Sequence, residues 1–164
     1  MKAAIGVYDT HADAIDALKQ LKDSGYPEKS LSLIGKADAL EDQVVFRNTN
    51  LMNVAGAEVG ISAVIGSTLG VLTGVGLFAI PGLGFLFGAG ALVGAIAGFD
   101  FGLIGGGVIS ALTVTGIATA DVEEYETHLK EGRFLVVAQG SPEEVQKAKD
   151  ILHGHGRHAG LKTH

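Results

Sequence analysis

The residue types able to do chemistry in this chain are few, and most of them are not placed to do it together. His153, His155 and His158 fall within a glycine-rich stretch near residue 164, where His-x-His-x-x-His could offer three imidazoles to zinc, nickel or copper. The spacing is not that of an ordinary zinc site, so they are weak metal candidates, and no metal or other cofactor is expected. Asp100 stands between Phe99 and Phe101 in apolar sequence, where an ionised carboxylate is expensive and marks a function or an interface. Glu58 marks the opposite, water-facing boundary of the same tract. Glu123, Glu124 and Glu126 read as the wet face of a helix. No phosphate-binding loop, nucleophile elbow or His-Glu-x-x-His motif is present, and no Cys exists for thiolate chemistry. The chain is therefore expected not to be an enzyme.

The informative feature is a stretch that lacks chemistry. From residue 59 to 120 the only charged side chain is Asp100, and most of the 25 glycines lie there. Gly66, Gly70 and Gly74 recur every four residues, as do Gly90, Gly94, Gly98, Gly102 and Gly106. On a helix that spacing makes a face of small residues on which backbones approach closely. Pro81, Gly82 and Gly84 supply a turn, which predicts a helical hairpin with arms from about Asn53 to Ile80 and from Phe85 to about Val114. Each arm would be roughly 40 Å long, against about 30 Å for a bilayer core. The uncharged turn argues against simple spanning. It favours an apex buried in the bilayer or apices of many copies packed together.

The flanks must carry the soluble fold. Residues 2–8 form a strand. Thr10 caps a helix with Asp13 at its third position, closed by Gly25 and Pro27, and a second strand follows at 30–34 with Leu31 and Leu33 on one face. After the tract, Val122, Tyr125 and Leu129 give helical spacing, with Gly132 ending the helix. The run Phe134–Ala138 reads as a central strand. Ser141-Pro142-Glu143-Glu144 starts a last helix that Gly154 should stop, leaving only a weak final strand. The expected fold is α+β, a split ferredoxin-like domain of order β-α-β, insert, α-β-α-(β), with helices on one face of an antiparallel sheet. Its divisions are 1–52, 53–117 for the inserted hairpin, and 118–164.

Net charge is −6 with no basic stripe, so nucleic acid is not expected as a partner. The polar N-terminal residues do not resemble a signal peptide, and the expected setting is cytoplasmic, at the inner membrane or in a large cytoplasmic assembly.

Laid out this way, the chain resembles a bacterial family of general stress proteins, the heat-induced stress protein YflT or general stress protein 17M-like domain family. The stretches that carry the resemblance are IGVYDTHADAIDALKQLKDSGYPEKSLSLIG, the Gly/Ala-rich middle around AIPGLG, and GIATADVEEYETHLKEGRFLVVAQGSPEEVQKAKDILHGHG. The resemblance implies a role in stress and brings no catalytic residues. The expected function is a stress-associated protein whose glycine zipper inserts in membrane, drives homo-oligomeric assembly, or both; its partners are other copies and membrane lipid. The alternatives are a small-ligand-binding or sensing module anchored by the hairpin, and an oligomeric pore.

Overall fold

The structure, a computed structural model, describes residues 2–36, 72, 75–80, 84–92, 112–113 and 117–164. Six strands form one sheet: β1 (Lys2–Tyr8), β2 (Leu31–Lys36), β3 (Val75–Ile80), β4 (Gly84–Gly90), β5 (Phe134–Gly140) and β6 (Gly160–Thr163). Their order is β3-β4-β2-β5-β1-β6, and every neighbouring pair is antiparallel. Three helices accompany them among the described residues: α1 (His11–Asp23), α2 (Thr119–Lys130) and α3 (Pro142–His155). The chain is thus α+β, with β1 and β5 interior as their apolar runs require.

The helix boundaries follow from local chemistry. The Thr10 hydroxyl accepts the Asp13 N–H at 3.1 Å and caps α1. At α3 the Ser141 hydroxyl accepts the Glu144 N–H at 3.2 Å, while the Glu144 carboxylate accepts the Ser141 N–H at 2.8 Å. This reciprocal capping box, with Pro142 at the first position, satisfies two donors that the helix leaves open. Hydrogen bonds from Ser141, its backbone N–H first and then its side chain, hold the Glu144 carboxyl below its usual range. Ser141→Ala should cost about 1 kcal/mol, read as a lowered urea midpoint. Gly154 does not stop α3; the helix runs on to His155 and ends at Gly156, which takes the left-handed conformation at φ 71°.

Side-chain alternation in the strands divides the core in two. Ala4, Tyr8, Leu31, Leu33, Phe134, Val136 and Ala138 face α1 and α3, meeting Ala14, Leu18, Leu21, Val145, Ala148 and Leu152. Ala3, Ile5, Val7, Ile34, Leu135 and Val137 face the other way, against Val122, Tyr125 and Leu129 of α2. Helices on one face were expected; instead α2 covers the second. The reason is in the strands themselves. Both alternating sets of β1 and β5 are apolar, and an apolar face left in water would forfeit roughly 1.5–3 kcal/mol for each large side chain.

The second correction concerns the apolar middle. Residues 75–80 and 84–90 were expected as the inner ends of two helical arms. They are strands, paired in register from Val75↔Ala89 to Ile80↔Gly84, and β4 pairs in turn with β2. The chain does reverse between Ile80 and Gly84, where the turn was expected, but the hairpin is β and belongs to the sheet. Leu86, Leu92, Leu112 and Ile117 complete the second core beside α2. No helix of the described residues is long and apolar enough to cross a membrane.

Candidate functional site

The point where the apolar middle leaves the sheet is closely built. Gly90 ends β4 opposite Ser32 with φ 91°. A Cβ there would lie 2.1 Å from the Leu31 carbonyl oxygen and 3.0 Å from Ser32 Cα. Just beyond, the Ala91 N–H donates to the Leu31 carbonyl at 3.1 Å. The Leu92 N–H donates to the hydroxyl of buried Ser32 at 3.0 Å. Gly90 was expected on the packing face of a helix; here its missing side chain admits the β2 backbone instead. Gly84, expected within the turn, opens β4 opposite Ile80. Pro81 and Gly82 lie outside the described residues, as do Glu58, Gly66, Gly70, Gly74, Gly94, Gly98, Asp100, Gly102 and Gly106.

The histidines at the end of α3 are near one another but do not converge. The His153 and His158 rings are 5.8 Å apart, and His155 meets Tyr8 edge-on at 6.0 Å. A cleft of about 310 Å³ beside them is lined by Asp16, Lys19, Gln20, His155 and Arg157. Arg157 lies 3.1 Å from Asp13 and 3.8 Å from Asp16. The Thr10 hydroxyl, helped by Arg157, holds the Asp13 carboxyl below its usual range. Among the described residues no group of three or more His, Cys, Asp or Glu side chains is placed to hold a metal ion. Tyr8 is buried against this corner, and burial pushes its phenol well above the ordinary value.

A third cluster was not anticipated from the sequence. The Tyr125 hydroxyl and His164 Nε2 are 2.7 Å apart, and the two rings stand nearly perpendicular with centroids at 5.8 Å. His164 Nδ1 is 3.7 Å from Asp121. One turn along α2, Glu124 receives the Lys162 ammonium, which also lies 3.8 Å from Asp121. Asp121, Glu124 and Tyr125 share one side of α2, a spacing that helical periodicity does show. What it does not show is that β6 would bring Lys162 and His164 beneath them, because that depends on strand register.

The fold and these clusters define an α+β domain with a two-sided core. Residues 3–78, from β1 into β3, match the family model described as heat induced stress protein YflT domain. The resemblance read from the sequence is thus shown over this part of the chain. No curated protein and no solved structure matches the chain.

Proposed function

We propose that this is a non-enzymatic, stress-associated protein that works by self-association. A ferredoxin-like domain carries an apolar, glycine-rich middle through which copies of the chain join. The order β2-β5-β1-β6, with helical crossovers between β1 and β2 and between β5 and β6, supports the ferredoxin-like reading, with the middle inserted between β2 and α2. The stress role rests on the family match.

The observation that carries self-association is the position of β3. Among the described residues it pairs with β4 alone and so forms one edge of the sheet. Its sequence, VGLFAI, holds no charge and no proline, the usual guards against edge-to-edge pairing. The interior strands carry α1 with α3 on one face and α2 on the other. The four-residue glycine spacing from Gly94 to Gly106 suits close backbone contact between copies. The net charge of −6 favours other copies over nucleic acid as partner.

A direct test places charge on the edge. The double variant Leu77→Lys, Ala79→Lys should shift native mass from an assembly to a single chain, with far-UV circular dichroism and melting showing that the fold persists. A folded double variant with unchanged mass would contradict the edge as the contact.

A further inference from the structure

His128 and His164 commit their ring nitrogens, the first to Arg133 and Glu124, the second to Tyr125 and Asp121. The histidines at the end of α3 stand apart from these. His155 packs on Tyr8 and cannot join His153, because residues two apart on a helix face different sides. His153 and His158 do meet, with ring centroids 5.8 Å apart. Among the described residues neither gives a nitrogen to a hydrogen bond or ion pair. Nδ1 of His158 is covered, so Nε2 is the nitrogen of that ring that a dissolved ion can reach.

The end of the helix brings the two rings together. Five residues apart on one continuous helix, they would stand about 140° apart around its axis. Gly156 breaks the helix with a left-handed turn at φ 71° and sends His158 back towards His153. The space beside them is open, since a Cβ on Gly154 or Gly156 would meet nothing within 4 Å. A metal ion bound at 2.0–2.1 Å by one nitrogen of each ring sets the ring centres roughly 5–6 Å apart, the separation already present here. His153 is exposed, so its ring can turn to meet an ion without disturbing the core. The charges nearby allow it. The C-terminal end of a helix favours a cation, and Arg157 is drawn aside by Asp13 and Asp16 at 3.1 and 3.8 Å.

We propose that His153 and His158 form a two-imidazole seat for a divalent late transition metal, with water in its remaining positions. Ligands that are imidazole alone select zinc, nickel or copper over magnesium or calcium. Two ligands, with no acceptor to orient Nδ1 of His158, make the binding modest and exchangeable. The proposal is independent of self-association through β3.

Calorimetric titration of the full chain with zinc at neutral pH tests it. One ion should bind per chain, and magnesium should not compete. His153→Gln and His158→Gln should each weaken zinc binding by about tenfold or more. His155→Gln should leave it within about twofold, since that ring lies on Tyr8. Far-UV circular dichroism should show all three variants folded. No zinc binding at about 1 mM would overturn the seat. So would binding that survives in the His153→Gln, His158→Gln double variant, or that falls as far with His155→Gln.

Discussion

Gly90→Ala should lower stability by about 3 kcal/mol or more, through two costs at one position. An L-residue at φ 91° is strained by roughly 1–2 kcal/mol. The added methyl must also displace backbone, since the Leu31 carbonyl oxygen would be 2.1 Å away, and such overpacking costs roughly 1–3 kcal/mol. The oxygen cannot swing aside cheaply, because it accepts the Ala91 N–H that guides the chain off β4. Gly25 is the internal control. Its φ is 80°, yet a Cβ there would meet nothing within 4 Å. Gly25→Ala should therefore cost only the conformational part, about 1 kcal/mol. Urea denaturation of the two variants measures the difference. Equal midpoints would mean that β4 does not dock on β2 as described.

Acid should destabilise the fold well before its carboxylates titrate. His11 opens α1, is 7 % exposed, and packs edge-on against Phe134 with ring centroids 5.5 Å apart. Burial lowers its pKa to about 4 from an ordinary 6.5. The unfolded chain therefore binds this proton more readily than the folded one. The contribution is complete above about pH 6.5 and is lost as pH falls towards 4, amounting to about 3 kcal/mol. His164, also held low, acts in the same direction. Asp13, Glu124 and Glu144 are lowered carboxyls whose contributions fade at more acid pH. His11→Gln should flatten the pH dependence of the urea midpoint between about pH 6.5 and 4.5. By NMR the His11 ring should titrate near about 4; titration near 6.5 would contradict its burial.

Local features of the fold could be read from the sequence, and long-range ones could not. The helix starts at Thr10 and Ser141 were legible because a cap is a local event, fixed by a side chain and an amide three residues away. The interior strands β1 and β5 were legible as apolar runs, and their double-sided apolarity implied a second covered face that the one-sided expectation overlooked. The strands at 75–80 and 84–90 were not legible, for a geometric reason. The glycine repeats flank those strands and enter them only at Gly90, and four residues is both close to a helical turn and twice the strand period, so the repeat does not tell helix from strand. Only the pairing of β4 with β2, a contact between residues fifty or more apart, separates the two. Gly154 misled because a glycine within a helix costs only about 1 kcal/mol, while Gly156 had the left-handed backbone that ends one. The Asp121–His164–Tyr125 cluster joins residues about forty apart through the register of a four-residue strand, and no local signal carries that.

The strand assignment also bears on which apolar partner the middle takes. A hairpin hydrogen-bonded into the domain's own sheet on either side of its turn is not free to carry that turn, as two helices, to the centre of a bilayer. It is free to present an edge. Light scattering of the full chain purified without detergent, with phospholipid assayed across the same peak, tests this most directly. A large, uniform particle free of lipid is the expected result. A single chain in solution, a lipid-bearing particle, or protein recovered only in detergent would contradict it.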